Sequence, residues 1–462
     1  MRIDSEQQRQ AMLTEPIGRL LFKKAAPTVL VQLITVIYNT ADTYFVAKID
    51  TGASAAVGVV FSLMAIIQAV GGSIGMGSTS LISPMLGQKR VDDACTVGTS
   101  AATLSIVAGA TIGAIGLLFL NPLLYLIGAR GEVLPYAEDY ARWILIAAPF
   151  MTTSFVLNNI LRAEGQPVYS MIAMISGGVL NLFIDPLLIF GFKMGIAGAA
   201  VATMIGQMTS FLILASIFLR DKSIVRLRPK YLGRRPKVYL TIVRMGLPTL
   251  FRQGMASLSS AILNVQAAAF GAAAVAAISI ANKLYMLVRH IVIGIGQGYQ
   301  PIAGYCFGAK RYSRVKRVFW VTTAAATVIC LSIALAVFLF RKPIMVWFRD
   351  DAEVVAIGSG MLQFLCITIP LMGFSTYVNQ LYQCLGFAGG ATFLASCRQG
   401  VFFVPLAYLL PALFGLTGIE AVQAGADLLT FLISIPFLIH FMRKHLSAPD
   451  FEEKTEKISK NM

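Results

Sequence analysis

The sequence predicts an all-α polytopic membrane protein, with twelve transmembrane helices in two six-helix lobes related by a pseudo-two-fold axis along the membrane normal. Three observations support this prediction. The 462 residues are 57% apolar and only 13% charged, whereas soluble domains carry about a quarter charged residues. Twelve apolar runs are long enough to cross a bilayer, which takes roughly 20 residues per helix. Landmarks of the first half recur in the second half at one constant offset.

The apolar runs are bounded by charged residues, Gly and Pro, which mark the ends of membrane helices. The mean hydropathy of the whole chain is +0.73, so the connections between these runs must be short. The predicted helices cover residues 25–47, 53–84, 95–120, 134–161, 168–190, 195–219, 241–268, 272–305, 318–340, 354–385, 390–413 and 418–442.

The distribution of Lys and Arg predicts the orientation of these helices. When the connections are assigned to alternate sides, the side of the N-terminus holds 27 of the 38 basic residues and the other side holds seven. Positive charge is enriched in cytoplasmic loops, so both termini are predicted to be cytoplasmic in a multi-pass protein of the inner (cytoplasmic) membrane. The net charge of +16 therefore reflects topology, and we expect no nucleic acid partner.

The densest basic cluster lies near the midpoint of the chain, between Arg220 and Arg244. It predicts a cytoplasmic basic linker at 220–240, although contact with lipid headgroups is an alternative. The predicted domains are an N-terminal lobe at 1–219, this linker, a C-terminal lobe at 241–442 and a cytoplasmic tail at 443–462.

An internal repeat supports the division into two lobes, because landmarks at residue n recur in the same order at residue n + 221. Each half holds an even number of helices, so both halves enter the membrane in the same orientation, with a cleft between them. The matches pair Pro27 with Pro248, the string GMGSTSLISPMLGQKR with GQGYQPIAGYCFGAKR, and Pro149, Asn158 and Gly165 with Pro370, Asn379 and Gly386.

Two carboxylates of the first half lie inside predicted spans, where a charge is costly and usually faces the bundle interior. Asp42 and Asp185 are each about five residues from the outer end of their helix, so they lie at similar depth. Tyr38 and Asn39 precede Asp42 at helical spacing, and Asn181 precedes Asp185 by four residues, so each group can share a helix face.

The sequence around Asp185 also predicts free oxygen ligands. Pro186 has no backbone N–H, which leaves the Leu182 carbonyl without its usual donor. The small residues Gly195, Gly198, Ala199 and Ala200 let the sixth helix approach closely, which brings Thr203 near. These oxygens suit a small alkali cation, and the carboxylate pair can instead carry a proton. In the alternative interpretation, Asp42 reaches the outer surface near Lys48 and Asp185 caps a proline-broken helix.

The chain resembles the multidrug and toxic compound extrusion (MATE) family of transporters over residues 15–442. The resemblance rests on the duplicated twelve-helix plan and on the order of five strings: SPMLGQKR, GYCFGAKR, NNILRAEGQP, NLFIDPLLIF and GIAGAAVAT. It implies a cation-coupled antiporter that exports amphiphilic, often cationic compounds by alternating access. The coupling ion is H⁺ or Na⁺, and no other cofactor or metal is expected.

The resemblance also implies roles for individual residues. The coupling site comprises Asp42, Asn181, Asp185, Ala199 through its carbonyl, and Thr203, with Asn158 and Tyr140 nearby. Substrate contacts fall on Gln32, Asn158, Met174, Asn181 and Phe211, although core packing is an equal alternative for Met174 and Phe211. Pro27 lies fifteen residues before Asp42 on the same helix, so it is a candidate hinge.

The second half departs from another pattern of the family, which places acids in the seventh and tenth spans. The seventh offers Arg252, Gln253 and Asn264, and the tenth offers Asn379, Gln380 and Gln383. Asp427 and Glu420 are interpreted as partners for Arg398 or as interface residues. Arg289 and His290 need partners near mid-span, and the sequence leaves their role open.

Other function classes fit the sequence less well. An enzyme is disfavoured because three histidines form neither HExxH nor a Ser/His pairing, and no GxxxxGK[ST] loop supports an ATP-driven pump. The six cysteines lack CxxC spacing and are interpreted as core residues. The serious alternative is a lipid or lipid-linked oligosaccharide flippase of the same superfamily, while a channel or receptor is disfavoured by the duplicated plan. We expect a monomer whose partners are small molecules and membrane lipids.

Overall fold

The computed structural model describes residues 5–233 and 235–450, and this part of the chain is helical without strands. Arg234 of the predicted linker and residues 451–462 of the predicted tail lie outside the described residues. The helices are α1 Ser5–Thr14, α2 Ile17–Ala47, α3 Thr51–Gly87, α4 Val91–Leu118, α5 Leu120–Leu126, α6 Val133–Ala163, α7 Pro167–Pro186, α8 Gly195–Leu219, α9 Pro236–Ala268, α10 Ala272–Gly308, α11 Tyr312–Phe348, α12 Ala352–Cys384, α13 Ala388–Ser396 and α14 Phe403–His445.

The predicted all-α membrane fold is confirmed, and nine of the twelve predicted spans lie on a single observed helix to within a residue. The other three cross helix ends: 95–120 runs from α4 into α5, 168–190 runs from α7 into a π-helical turn, and 390–413 runs from α13 through a π-helical turn into α14. Ten stretches of the described residues are long and apolar enough to cross a membrane. The α9 helix is not among them because Arg252 and several amides and hydroxyls lower its hydropathy. The last stretch, Ala388–His445, contains two predicted helices, which non-helical Gly415 separates. These two cases account for the difference from twelve.

The repeat is visible in the bounds of the helices. The α3 helix covers 51–87 and α10 covers 272–308, so both ends show the offset of 221. The starts of α4 and α11 and the starts of α7 and α13 show the same offset. The two halves of the chain therefore form closely equivalent helices.

The backbone repeats even where it is strained. Lys89 and Lys310 have positive φ angles of 65° and 58°, a conformation that is uncommon for residues other than glycine. Gly165 and Gly386, which follow α6 and α12, share positive φ angles of 79° and 91°. Both pairs are related by the offset of the repeat, so equivalent turns end equivalent helices.

The helices pack into two units whose boundaries fall inside α1, α2 and α9. Of the described residues, the first unit contains those from 5 to 12 and those from 26 to 246, and the second contains Leu13–Ala25 and those from 247 to 450. The divisions inside α2 and α9 each lie one residue before a repeated proline, Pro27 or Pro248. The predicted domain boundaries at 220 and 240 stay predictions.

Glycines allow close packing of two segments that lie just before the unit boundaries in α2 and α9. These segments are Leu13–Ala25 in the second unit and the start of α9, up to Gly246, in the first. Within the second unit, a Cβ at Gly298 would lie 2.6 Å from the Cα atom of Ala25. Within the first unit, a Cβ at Gly77 would collide with the carbonyl oxygen of Ile242. Gly77 and Gly298 are equivalent in the repeat, so each unit needs a residue without a side chain at the same position.

A buried carboxylate fixes the start of the linker within the first unit. The Glu164 side chain, directly after α6, accepts hydrogen bonds from the Ser223 hydroxyl at 2.5 Å and from the backbone amides of Ile224 and Val225 at 2.9 and 3.0 Å. Burial raises the pKa of Glu164 to about 7. This carboxylate was not predicted from the sequence, because its partners come from a distant segment of the chain, beyond α7 and α8.

Candidate functional site

The first carboxylate of the candidate site lies on α2 and is held from α6. The Tyr140 hydroxyl donates a hydrogen bond of 3.3 Å to Oδ2 of Asp42. Tyr140 is fully buried in an apolar cluster that also contains Ala199. The other carboxylate oxygen of Asp42 is buried and has no hydrogen-bond partner among the described residues. One oxygen of Asp42 is therefore available to a ligand or a proton.

The second carboxylate lies at the end of α7, opposite α8. The Asn181 amide nitrogen lies 3.3 Å from Oδ1 of Asp185 and 3.5 Å from the hydroxyl of Thr203. Oδ2 of Asp185 is buried, and the described part of the chain gives it no hydrogen-bond partner. Asp185 and Thr203 therefore both contact the Asn181 amide. Like Asp42, Asp185 has one carboxylate oxygen without a hydrogen bond from the described residues.

The two carboxylates lie within electrostatic range of each other. Among the described residues, no Lys or Arg nitrogen lies within salt-bridge distance of either one. Lys48, which the sequence offered as a partner of Asp42, instead lies over the Tyr44 ring at 4.6 Å from its centroid. The alternative in which Asp42 reaches Lys48 at the surface is therefore not the observed arrangement.

Small residues bring α7 and α8 together, as the sequence predicts. A Cβ at Gly198 would lie 2.9 Å from the backbone of Leu188, and one at Gly177 would collide with the carbonyl oxygen of Gly206. Pro186 is followed by a π-helical turn, Leu187–Gly191, so the backbone leaves α-helical hydrogen bonding directly after Asp185. π-helical turns often mark functional sites.

Two of the predicted substrate residues lie beside the contact between α7 and α8. The Ser210 hydroxyl donates to the carbonyl of Ala173 at 3.2 Å, and the half-buried Met174 and Phe211 are the next residues along the chain. The Phe211 ring lies edge-on to Phe150 with centroids 5.4 Å apart. Met174 and Phe211 therefore share one region of the first unit.

The other predicted substrate residues are less closely connected to the carboxylates. Gln32 is half-buried on α2 and Asn158 is buried on α6. Within the described part of the chain, neither side chain forms a hydrogen bond to Asp42 or Asp185. Asn181, which was predicted for both roles, lies in the carboxylate cluster.

The second unit contains a different polar cluster. Arg398 forms a salt bridge of 2.7 Å with Asp427, which is one of the two roles that the sequence left open for this acid. Tyr285, on α10, donates to Oδ2 of Asp427 at 2.7 Å and accepts a hydrogen bond from Arg398. Gln423 donates to both Tyr285 and Asp427, at 3.1 and 3.2 Å. Tyr285 and Gln423 were missed, although each lies four residues from a charged residue that was noted, Arg289 and Asp427.

Glu420, the other second-half acid, contacts a different helix. A Cβ at Gly360, on α12, would collide with a carboxylate oxygen of Glu420. The structure therefore associates Glu420 with α12, whereas Asp427 is the partner of Arg398.

The duplicated helical fold defines a polytopic transporter of the kind built from two repeats. The comparison with protein families makes this class specific. The chain belongs to the MatE family, whose model matches residues 27–187 and 248–409. The two matched segments begin at the repeated prolines Pro27 and Pro248, so the family model matches once in each repeat.

Individual relatives match along nearly the whole chain. The multidrug export protein MepA of Staphylococcus saprophyticus is 28% identical over 433 residues, which cover 93% of this chain and 94% of the relative. MepA of Staphylococcus aureus is 27% identical over 438 residues, covering 95% and 96%. A solved structure, described as the outward-facing conformation of a multidrug resistance MATE family transporter, has the same fold. It matches with a TM-score of 0.89 and 24% identity over 96% of this chain and 98% of that chain.

Proposed function

We propose that the chain is an antiporter that exports amphiphilic, often cationic compounds by alternating access and is driven by H⁺ or Na⁺. The observation that carries this proposal is the pair of carboxylates in the first unit, Asp42 and Asp185. Each has one buried oxygen without a hydrogen-bond partner, and the described residues supply neither with a salt-bridge partner. A buried charge without a partner is costly, so a proton or a bound cation at these oxygens would neutralise the charge and stabilise the site.

The oxygens around this pair suit either coupling ion. Protonation of one carboxylate would relieve the repulsion between the two. A Na⁺ ion would take oxygen ligands from both carboxylates, the Asn181 amide, the Thr203 hydroxyl and the Ala199 carbonyl. The two coupling ions can be distinguished by experiment, because export depends on a sodium gradient only if Na⁺ is the coupling ion.

The relatives and the first unit both support the proposed substrate class. Relatives that match along the chain are named multidrug export proteins, which supports drug export over a flippase. Met174 and Phe211 would supply adaptable apolar contacts. Gln32, Asn158 and Asn181 would orient polar groups of the compound.

The bacterial relatives support the cell membrane as the location. We propose that the protein is a monomer with both termini in the cytoplasm. Single cysteines introduced at the exposed positions Arg228 and Arg349, after replacement of the six native cysteines, would test the orientation. We expect a membrane-impermeant thiol reagent to label them from opposite sides, and labelling from the same side would contradict the topology.

The hinge connects the ion to the drug. Pro27 lies where α2 passes from one packing unit to the other, and Asp42 lies on the same helix. Ion binding at Asp42 would favour one bend of α2 and so change the substrate region. Linkage then requires drug and ion to weaken each other's binding, typically by about 1–3 kcal/mol. In Pro27→Ala we expect this mutual effect to shrink, measured as drug affinity across pH and across Na⁺ concentration.

Transport by purified protein in proteoliposomes tests the proposal. A cationic dye is loaded, and either a pH gradient or a Na⁺ gradient is imposed at zero membrane potential. We expect one of the two gradients to drive dye movement against its own gradient. Dye movement that responds to neither gradient would contradict coupling, and dye that is not moved at all would contradict drug export.

A further inference from the structure

The second unit contains more buried and half-buried positive charge than its own described residues compensate. The arginine cluster comprises Arg252 on α9, Arg289 on α10 and Arg398 on the π-helical turn Cys397–Val401. Arg252 lies within electrostatic range of both other arginines. One carboxylate, Asp427, lies within the same range of Arg289 and Arg398.

Asp427 is already fully engaged. One oxygen accepts from Arg398 at 2.7 Å and from Gln423 at 3.2 Å, and the other accepts from Tyr285 at 2.7 Å. The Asp427 side chain is 2% exposed, and that of Arg398 is 14% exposed. This closed pair leaves the charges of Arg252 and Arg289 uncompensated within the described part of the chain.

Arg289 lacks the partners that a buried guanidinium needs. It is 8% exposed, and its one hydrogen bond to a described residue goes to the sulfur of Met286 at 3.5 Å. A thioether is a weak acceptor, whereas a guanidinium has five N–H donors. The described residues place no Asp or Glu oxygen within salt-bridge distance of Arg289 or Arg252.

The arginine cluster differs chemically from the acid pair of the first unit. A carboxylate can be neutralised by a proton, but a guanidinium in a protein stays charged. An arginine inside a membrane protein normally faces a partner. The described residues do not supply one, and an anion from outside the chain would compensate this charge.

We propose that Arg289 and Arg252 form a binding site for an oxyanion, the carboxylate or phosphate group of a small organic molecule, within the second unit. A guanidinium binds either group through two parallel charge-assisted hydrogen bonds. Arg398 holds the site in place through its salt bridge with Asp427. This site goes beyond the proposed cation-coupled export, because it binds an anion and requires no transport.

Binding to the purified full-length protein in detergent tests the site. Benzoate and inorganic phosphate are titrated separately at constant ionic strength, and the shift of the melting temperature is recorded. We expect saturable stabilisation by at least one of them. Benzoate alone would identify a carboxylate site, and phosphate alone would identify a phosphate site. No saturable effect of either anion, or an equal effect of chloride, would overturn the oxyanion assignment.

Matched variants locate the site. We expect Arg289→Gln to weaken the binding of the active probe by about tenfold or more, because charge-assisted hydrogen bonds are lost. Lys283→Gln changes an exposed cation on the same helix, and we expect it to leave the binding unchanged. If Arg289→Gln does not fold, Arg252→Gln serves in its place. Equal binding by the wild type and the folded arginine variant would overturn the proposal, whatever the outcome of the dye transport experiment.

Discussion

The polar clusters of the two units lie on largely equivalent helices but carry opposite charge. Within the described residues, two carboxylates of the first unit lie without a cation. In the second unit three arginines lie close together, and one aspartate lies within electrostatic range of two of them. The positions that correspond to Asp42 and Asp185 are Leu263 and Leu406, and Arg289 corresponds to Gln68. The repeat therefore retains the backbone, while the charge inside each unit has diverged completely.

The difference is sharpest at one pair of helices. Gly177 and Gly206 touch where α7 meets α8. Their equivalents in the second repeat are Arg398 and Asp427, which form the salt bridge of the second unit. One scaffold thus accepts a close glycine contact in one repeat and a buried ion pair in the other. The helices of the first unit pack closely because neither glycine has a side chain. The equivalent elements of the second unit are joined by two side chains of opposite charge.

The largest expected effect is the loss of dye transport when the carboxylates of the first unit are neutralised. We expect Asp42→Asn and Asp185→Asn each to reduce gradient-driven dye transport to the level of empty liposomes, because the coupling charge is lost. Asp427→Asn should be milder, since its charge serves Arg398. Asp139→Asn, an exposed position on α6, is the control for expression and insertion. Transport at the wild-type rate by both first-unit variants would exclude them as coupling residues.

The next effect tests the ion pair as a structural element of the second unit. Arg398→Met leaves the charge of Asp427 buried without its cation, which typically costs about 3–5 kcal/mol. Adding Asp427→Leu should recover most of this loss, because neither charge then remains. The free energy of unfolding in detergent measures both effects, with exposed Arg349→Met as the control. A double variant no more stable than the single variant would argue against the pairing.

A smaller effect tests the glycine contact that replaces this pair in the first unit. In Gly206→Ala, the new Cβ would lie 2.8 Å from the carbonyl oxygen of Gly177. Such overpacking typically costs about 1–3 kcal/mol. Gly72→Ala adds the same methyl group to α3 where no heavy atom of the described residues lies within 4 Å, so we expect no loss there. Equal thermal stability of the two alanine variants would mean that the contact is not tightly constrained.

The smallest effect concerns Glu164, whose equivalent in the second repeat is Leu385. Burial raises the pKa of Glu164 from 4.5 to about 7, so the folded protein binds this proton more tightly than the unfolded chain. Its contribution to stability is therefore complete below pH 4.5 and is lost as the pH rises through 7. We expect the melting temperature of Glu164→Gln to fall less over this range than that of the wild type. Parallel pH profiles would contradict this linkage.

The sequence predicts what is local or periodic. Apolar runs locate the helices, and the constant offset of the repeat relates the equivalent turns at Lys89 and Lys310. The pairing of Asn181 with Asp185 also follows from a spacing of four residues. Hydropathy does not indicate α1 or the short α5, which are not membrane spans. Glu164 and Tyr285 were missed because their partners come from distant segments, and only the folded chain brings those segments together.

The exchange of helix ends between the packing units affects how the polypeptide can be made. A fragment that stops within the predicted linker at 220–240 lacks the last residues of the first unit, which extends to Gly246. The remaining fragment lacks Leu13–Ala25 of the second unit. During synthesis, the first unit has all its residues only after Gly246 has been added. If the two repeats were expressed as separate polypeptides, neither one would contain a whole packing unit. Both polypeptides would therefore have to be present in the same membrane before either unit could pack completely.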